Sequence, residues 1–493
     1  METTARTLTR SRWQPRRRTW FASVAAPGPR TGILALAASA ALAPPPLPAQ
    51  EEGVIPGVAL TLLYENRYVP PIAILPITTT GDSPDVGARV QAILARDLDY
   101  SDRFVIVDSL PAVFSDAGVE YGFWDQYGVD WLLTGRVERV AGARFLSVEL
   151  HDIVTADLRA RTRVPLPPPE DPEFRMAVHR ISDEVVAWVT GEQGMAASRI
   201  VFRMRPFGGS MNKELYIVDS DGANLRRITW DDSVTMSAAW SPDGTRIMYT
   251  SFKAGPPGLY ELDLARNAER AIEVGREGQP ITPTYHPHGS EIAFTLIGGG
   301  TRGLFSYDIR NDCCLRLLAG GLSQNLQPSY SHDGRSLVFV SSRLEGVHSP
   351  QIFTMPSEGG RPEILSPFRY GQRGYFTDPD WSPLADQVAF AGRIQGRGTY
   401  ARYHIFIADL DEGDRRLTQL TREGNNEDPS WAPDGRHIVF IGERSNGTGV
   451  FVVDAVTGRT RVLVANVDAE DTDWSPSLGG GGAVRSTRGG GVR

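Results

Sequence analysis

The spacing of apolar residues changes along the chain between Thr190 and Ile200. Before this point, short apolar runs alternate with stretches at helical spacing, as at Val86, Val90 and Leu94. After it, short apolar runs follow one another with polar turns between them and no helical period. The first pattern predicts a small α/β domain, and the second predicts a succession of short β-strands.

One short polar phrase divides the second part into repeats. In its complete form it is aromatic-Ser-Pro-Asp-Gly. It predicts a tight turn because Pro presets φ, Asp bonds the local backbone and Gly accepts a positive φ. The copies are 45, 45, 51, 50 and 43 residues apart, and the fourth has lost the Gly. They begin at Trp240, Tyr285, Tyr330, Trp381, Trp431 and Trp474.

Repeats of this length with four short strands each predict a mainly β fold, a six-bladed β-propeller preceded by the small α/β domain. Ile200 to Phe202 has no preceding turn phrase, and Trp474 has no following hairpin. We therefore expect the last strand to complete the first blade. The aromatic residue of each phrase is expected to pack between blades.

Composition and motifs suggest four regions. These are a signal peptide over 1–50, the α/β domain over 51–195, the propeller over 196–477 and a disordered tail over 478–493. In the α/β domain, one helix should begin at Pro84 and another at Asp171-Pro172. The tail is rich in Gly, Arg and Ser and has little to bury.

The first 50 residues have the features of a secretory signal. They carry seven Arg and one Glu, a charge of +6, followed by an apolar run over Ile33 to Ala43. Eleven residues are too few to span a bilayer, which needs about 20. We expect ordinary secretion, with cleavage near Ala49 or Gln50, and a periplasmic location. A twin-arginine signal at Arg17-Arg18 is the alternative export route.

The charge balance bears on partners. The whole chain has a net charge of −8, so the part after the predicted signal holds about −8 − 6 = −14. Such a chain does not favour nucleic acid. The two cysteines, Cys313 and Cys314, are adjacent, and we expect thiols on opposite faces of a strand. A disulfide between them is the alternative in an oxidising compartment.

Three sequence matches carry a resemblance to the TolB family. The first is Pro71 to Pro76 with the segment Ala95 to Phe104. The second runs from His179 through Gly194 to Ile200, and the third is the six-fold phrase. The resemblance implies a periplasmic Tol–Pal component, an envelope scaffold that supports envelope integrity and cell division.

In that family the propeller face around the channel binds the lipoprotein Pal, and the extreme N-terminal segment contacts TolA. The resemblance implies that Glu51 to Tyr64 is the TolA-facing segment, with Val58, Leu60, Leu62 and Tyr64 as its contact residues. We expect no membrane span and a monomer that works through these two protein partners.

No enzyme is predicted. A peptidase of the prolyl oligopeptidase type would need a Gly-x-Ser-x-Gly elbow and an α/β-hydrolase domain, and the sequence has neither. Two alternatives stay open, a propeller that binds another envelope ligand such as a peptide or a glycan, and a peptidase-associated propeller without its hydrolase domain. His286, His288 and His332 occupy Ser or Asp positions of the phrase and are interpreted as surface turn residues.

The segments that lead into the innermost strands should surround one mouth of the channel, where loops can converge on a ligand. Their amides and carboxylates suit a peptide main chain and basic groups. A calcium ion in the channel is a second hypothesis, because clustered oxygens suit a hard cation. The predicted residues are Asp231, Asp232, Gln279, Gln324, Asn325, Asp378, Asn425, Asn426, Glu427, Asp428, Glu470 and Asp471.

Overall fold

The structure, a computed structural model, describes most of the chain after residue 67. The described ranges are 68–107, 119–206, 212–298, 301–321, 323–344, 349–366, 374–394, 402–410 and 416–478. The predicted signal peptide, the segment with Val58, Leu60, Leu62 and Tyr64, and the predicted tail after residue 478 lie outside them. In the described ranges, no helix is both long enough and apolar enough to cross a membrane.

A mixed sheet and three helices form the first part of the described chain. The helices are α1 (Pro84–Tyr100), α2 (Tyr121–Gln126) and α3 (Glu173–Thr190). The strands are β1 (Pro71–Ile74), β2 (Thr78–Thr80), β3 (Val105–Val107), β4 (Trp131–Val140), β5 (Ala143–Asp152) and β6 (Asp157–Pro165). Their order is β3-β1-β4-β5-β6, with β2 also paired to β4.

The two long helices pack on this sheet as their apolar spacing predicts. Ser83 caps α1 by accepting the Asp85 N–H at 3.4 Å, and Pro84 is its first residue. Val90 and Leu94 of α1 and Phe174 of α3 are fully buried in one cluster with the sheet. Burying side chains of this size contributes about 1.5–3 kcal/mol each.

The remaining strands form six four-stranded antiparallel sheets within the described residues. Blade 1 is β30 (Ala469–Trp474), β7 (Arg199–Met204), β8 (Glu214–Asp219) and β9 (Arg226–Arg227). Blade 2 is β10 (Thr235–Trp240), β11 (Arg246–Ser251), β12 (Gly258–Asp263) and β13 (Ala268–Ile272). Blade 3 is β14 (Gln279–Tyr285), β15 (Glu291–Gly298), β16 (Thr301–Asp308) and β17 (Cys313–Ala319).

The next three blades follow the same order. Blade 4 is β18 (Asn325–Tyr330), β19 (Ser336–Ser341), β20 (Gln351–Pro356) and β21 (Glu363–Ile364). Blade 5 is β22 (Gly374–Trp381), β23 (Gln387–Ile394), β24 (His404–Asp409) and β25 (Leu417–Gln419). Blade 6 is β26 (Asn426–Trp431), β27 (His437–Arg444), β28 (Gly447–Asp454) and β29 (Thr460–Ala465).

The C-terminal strand closes the ring, as predicted. Ala469 pairs with Met204 and Trp474 with Ile200, so β30 supplies the innermost strand of blade 1. The fold class, a six-bladed propeller preceded by a small α/β region, is thereby confirmed. The six aromatic residues of the turn phrases are buried, with 3–8% of their surface exposed, which agrees with packing between blades.

Two details differ from expectation. Cys313 and Cys314 are bonded to each other as a vicinal disulfide, with Cys314 at a φ of 66°, so the prediction of two thiols on opposite strand faces was wrong. The left-handed backbone at Cys314 interrupts the strand alternation on which that prediction relied. Leu478, assigned to the tail, donates its N–H to the Ala197 carbonyl at 2.7 Å.

Candidate partner-binding channel

The innermost strand of each blade contributes three consecutive residues to the wall of a central channel. The channel waist encloses about 130 Å³. Its wall consists of 237–239, 282–284, 327–329, 378–380, 428–430 and 471–473. In four of these triplets the middle residue is proline (Pro283, Pro328, Pro379 and Pro429). Proline is tolerated there because the innermost strand is a sheet edge, with no ladder partner on its inner side.

Each innermost strand carries a β-bulge at its triplet, which is seen as a shift of one residue in the pairing register. The first residue of every triplet has a left-handed φ of 51–54°. We call these residues the bulge ring: Ser237, Thr282, Gln327, Asp378, Asp428 and Asp471. Left-handed backbone costs a non-glycine residue about 1–2 kcal/mol, so its recurrence in six blades implies compensating contacts.

Those contacts are hydrogen bonds from one blade to the next. Within the bulge ring, the Asp378 N–H donates to Gln327 Oε1 at 3.3 Å, and the Asp471 N–H donates to Asp428 Oδ2 at 2.8 Å. The Ser237 N–H likewise donates to Asp471 Oδ2 at 3.1 Å. The side chain of one blade thus satisfies an N–H that the bulge of the next blade frees from the strand ladder.

A second belt lies two residues further along the strands, at the third residue of each triplet. We call its members the acceptor ring: Ala239, Thr284, Ser329, Asp380, Ser430 and Asp473. The Trp240 N–H donates to Asp473 at 2.6 Å, and the Trp431 N–H donates to Asp380 at 2.8 Å. Four members of the acceptor ring accept a hydrogen bond from the aromatic residue of the following blade.

The charges of the channel are concentrated on one side. Blades 5, 6 and 1 supply five carboxylates to the two rings, whereas blades 2, 3 and 4 supply hydroxyl, amide and methyl groups. Burial raises the pKa of Asp378 and of Asp380 to about 6, and it raises the pKa of Asp428 and Asp473 well above the usual range. Burial disfavours the charged form, so this wall resists ionisation and gains from a cationic or hydrogen-bond-donating ligand.

We call the channel mouth that was predicted to bind the partner the rim. The structure places the twelve residues predicted there in different environments. Asp378, Asp428 and Asp471 line the channel. Asp232, Gln279 and Gln324 are exposed, and Asp231, Asn425, Glu427 and Glu470 are half-buried. Asn325 and Asn426 are 1% and 0% exposed, so these two amides are not accessible to a ligand at the channel mouth.

Asn325 and Asn426 are the first residues of β18 and β26, and both have structural partners. Asn325 Oδ1 accepts from Arg343 at 2.6 Å, and Asn426 Oδ1 accepts from Arg444 at 2.9 Å. Asn325 pairs with Ser341 and Asn426 with Gly442 in the strand ladder, so these amides are buried within the blade.

The rim also carries cations that the sequence-based hypothesis left out. Asp471 pairs with Arg203 at 2.7 Å, and Glu470 pairs with Lys213 at 2.6 Å. On three adjacent blades an arginine lies over two aromatic rings, at 4.3–5.9 Å from the ring centres. They are Arg343, Arg393 and Arg444. The rim is therefore mixed in charge rather than acidic.

The opposite mouth is built from the turn phrases and opens into a space of about 340 Å³. Here His286 Nε2–H donates to the Gly334 carbonyl of the next blade at 3.0 Å, and its ring stacks on His288. His332 lies 3.7 Å from Asp386 of the following turn. These contacts join neighbouring turns, which agrees with the interpretation of the histidines as turn residues.

A cation in the channel remains a prediction. The oxygens of Asp378, Asp428 and Asp471 already accept hydrogen bonds from Gln327, Asp471 and Ser237, and Asp471 also pairs with Arg203. A calcium ion would compete with these donors, yet it would also relieve the burial of the carboxylates. Two histidine-carboxylate groups lie elsewhere, around His179 and His437. In each of them one carboxylate already pairs with two arginines, Asp221 with Arg96 and Arg175, and Asp102 with Arg459 and Arg461.

The fold and the channel define a class, a six-bladed propeller with an N-terminal α/β domain. A family model described as the TolB beta propeller domain matches residues 186–478, and one described as the TolB amino-terminal domain matches residues 64–158. The first covers more than half of the chain. The chain therefore belongs to the TolB family.

Individual relatives agree with this assignment. The Tol-Pal system protein TolB of Albidiferax ferrireducens is 30% identical over 231 residues, which is 46% of this chain and 50% of that protein. That of Anaeromyxobacter sp. (strain K) is 32% identical over 248 residues, 48% of this chain and 54% of that protein. The aligned region thus spans about half the length of these relatives.

A solved structure supports the fold. The crystal structure of TolB from Acinetobacter baumannii superposes with a TM-score of 0.69 and 22% identity, covering 83% of this chain and 97% of that chain. At this identity the likeness concerns the fold alone. It extends over both the α/β region and the propeller.

Proposed function

We propose that the chain is a non-catalytic scaffold of the bacterial envelope that binds a Pal-like lipoprotein at the rim mouth of its channel. Membership of the TolB family supports a role in the Tol–Pal system. The single observation that supports the position of the site is the one-sided charge of the channel wall, with raised pKa values at Asp378 and Asp428. A partner segment that donates hydrogen bonds would be stabilised against this wall.

The accessible part of the proposed site is smaller than the sequence suggested. Gln279, Gln324 and Asp232 are exposed at the rim, and Glu427 of blade 6 is half-buried. The amides can both donate to and accept from a peptide main chain. Asn325 and Asn426 shape the strands that carry these groups and are not proposed to contact the partner.

The second partner is proposed to be TolA-like and to bind the segment Glu51 to Tyr64, through Val58, Leu60, Leu62 and Tyr64. This follows from the family membership alone. Export by a signal peptide, cleavage near Ala49 or Gln50 and a periplasmic location belong to the same proposal, and N-terminal sequencing of the protein from native envelopes tests them.

Affinity capture from envelope extract tests the rim. The bait is the full chain, either wild type or with Gln279→Ala, Gln324→Ala and Glu427→Ala combined. These groups bury little or only part of their surface, so folding should survive, and recovery of a Pal-like lipoprotein should fall roughly tenfold if they are binding hot spots. Glu358→Gln, at an exposed position on the outer edge of blade 4, is the matched control and should leave recovery unchanged.

The outcomes separate the hypotheses. Equal recovery by the rim variant and wild type would remove the rim from the site. Recovery lost only on deleting residues 51–64 would assign the interaction to the N-terminal segment. Capture of a glycan or of another peptide in place of the lipoprotein would favour the alternative envelope ligand.

A further inference from the structure

One histidine is buried between the α/β domain and the propeller. His437, the first residue of β27, has no exposed surface. Its Nδ1 lies 2.6 Å from Asp434 Oδ2 in the turn phrase of blade 6, and its Nε2 lies 3.1 Å from Asp102 Oδ2. Asp102 follows α1, 335 residues away in sequence, so the imidazole joins the two parts of the molecule.

The hydrogen-bonding pattern fixes the protonation state of this ring. An ionised carboxylate only accepts hydrogen bonds, and a neutral imidazole has one donor and one acceptor nitrogen. Both ring nitrogens of His437 face carboxylates, so both must donate, which requires the imidazolium. If the ring lost one proton, one of its nitrogens would present a lone pair to a carboxylate, and that hydrogen bond would be lost. The hydrogen bond to Asp102, which crosses to the α/β domain, is one of the two that can be lost in this way.

The surrounding charges balance only with this proton in place. Asp102 Oδ1 accepts from Arg459 at 2.9 Å, and Asp102 Oδ2 lies 3.6 Å from Arg461. Arg436 pairs with Asp454 at 2.6 Å, and Arg459 pairs with Asp99 at 3.2 Å. The cluster thus holds four carboxylates and three arginines. The fourth positive charge is the His437 imidazolium.

The electrostatic environment of His437 also favours the protonated ring. Burial by itself lowers the pKa of His437, but Asp434 and Asp102 outweigh it and raise that pKa above the usual value. Burial raises the pKa of Asp434, yet His437 and the turn N–H groups hold it at about 2. A histidine with a raised pKa in the folded state contributes stability below its unfolded pKa of about 6.5 and loses it as the pH rises through the folded pKa.

We propose that protonated His437 is a latch that makes the docking of the α/β domain on the propeller dependent on pH. Docking is firm at mildly acidic and neutral pH and loosens at alkaline pH, when the bond to Asp102 is lost. This does not depend on which partner the propeller binds. His occupies this position in blade 6 alone among the described strands that follow a turn phrase; the equivalent residues are Arg246, Glu291, Ser336 and Gln387.

A second buried histidine provides an internal reference. His179 of α3 bonds Asp97 of α1 at 2.7 Å, within the α/β domain, and it faces Asp219 and Asp221 of blade 1 and Asp183 of its own helix. Arg175 and Arg96 pair with Asp221 across the interface. Titration of His179 acts first on the α1–α3 contact, so its effect can be followed in different peptides from those near His437.

Hydrogen exchange by mass spectrometry on the full chain tests the latch, with rates corrected for the intrinsic effect of pH. We expect the protection of the 99–106 segment in wild type to fall by at least about tenfold between about pH 6 and about pH 9.5, since one pKa unit corresponds to a tenfold change. The core of blade 4 at 337–340 should not respond. Unchanged protection of 99–106 in wild type would overturn the proposal.

Two matched variants identify the residue responsible. In Asp102→Asn the amide can donate to a neutral His437, so both contacts survive without the extra proton and protection should change less than about twofold. Asp99→Asn removes the other carboxylate that pairs with Arg459, and this variant should respond to pH as wild type does. Equal pH responses in the two variants would contradict the latch.

A direct measurement covers the case in which Asp102→Asn does not fold. The ring signals of isotope-labelled histidine in wild type report the protonation of His437 without any substitution. We expect His437 to carry two ring protons at about pH 7, above the pH at which an ordinary histidine loses one. A neutral His437 at that pH would overturn the proposal.

Discussion

The two halves of the channel share one backbone and differ in chemistry. Blades 2, 3 and 4 carry Ser237, Thr282 and Gln327 at the bulge ring, whereas blades 5, 6 and 1 carry Asp378, Asp428 and Asp471. All six residues have the same left-handed backbone, within 51–54°. Hydroxyl, amide and carboxylate groups all accept the N–H of the next ring residue, at Thr282, Gln327, Asp428 and Asp471, so the bulge does not require a particular side chain.

The difference lies in what each half costs to bury. A hydroxyl or amide satisfies the neighbouring N–H without charge, but burying an ionised carboxylate at the same place costs free energy unless the carboxylate is paired. The raised pKa of Asp378 reflects this cost, and the contact of Asp471 with Arg203 is an example of pairing. Within the channel wall, the needs of the fold are thus enough to explain the neutral half, but they do not explain carboxylates that are costly to bury.

Removal of the C-terminal strand should have the largest effect. A chain ending at Val467 lacks β30, so blade 1 loses its innermost strand and the acidic half loses Asp471 and Asp473. The exposed edge of β7 should prevent cooperative folding of the propeller, observed as loss of the sharp thermal transition. A chain ending at Leu478 is the control and should melt like wild type. A sharp and unchanged transition without β30 would contradict the role of closure.

Loss of an acceptor-ring side chain should have a smaller effect that differs between the halves. Asp473 serves two donors, the Trp240 N–H at 2.6 Å and the Ser430 hydroxyl at 3.3 Å, so Asp473→Ala should destabilise by about 2–3 kcal/mol. Ser329 serves the Trp381 N–H at 3.1 Å, so Ser329→Ala should cost about 1–2 kcal/mol. Denaturant unfolding measures both.

Thr284 provides the control for these substitutions. Its side chain makes no hydrogen bond to another blade among the described residues, so Thr284→Ala should change the free energy of unfolding by less than about 1 kcal/mol. If all three variants lost the same stability, the belt of hydrogen bonds between blades would not be the cause.

The repeat made the architecture predictable, because each copy of the turn phrase encodes a local structure and the spacing counts the blades. The unmatched ends at Ile200 and Trp474 were enough to predict the closure, which the pairing confirms. Even the first helix began where Pro84 and Ser83 indicated. Local signals of this kind do not depend on distant partners.

The site was less predictable, since its geometry depends on contacts that sequence spacing does not show. The bulge changes which residues of an innermost strand face the channel, and no glycine marks it. Four prolines that follow a ring residue were an available but unused signal. His437 was missed because its partner Asp102 is 335 residues away. Asn325 and Asn426 were predicted at the channel mouth, but each is buried by its place in the strand ladder and by an arginine partner, neither of which sequence spacing shows.

The smallest change in stability is expected when one carboxylate of the acidic half is neutralised. The pKa of Asp378 is raised to about 6 from 3.8, so the group stabilises the fold below about pH 4 and this contribution is lost as the pH rises through about 6. Asp378→Asn removes the charge and keeps an acceptor for Gln327. It should therefore stabilise the propeller by about 1–2 kcal/mol at about pH 8 and have little effect at about pH 4.

Thermal unfolding at the two pH values measures this difference, with Thr282→Ser, on the neutral half of the same ring, as the control. The hydroxyl of Thr282 contacts Thr295 and the Gln327 N–H, which carry no charge, so any loss of stability should be the same at both pH values. A gain for Asp378→Asn that did not depend on pH would show that packing, and not the burial of charge, separates the two halves of the channel.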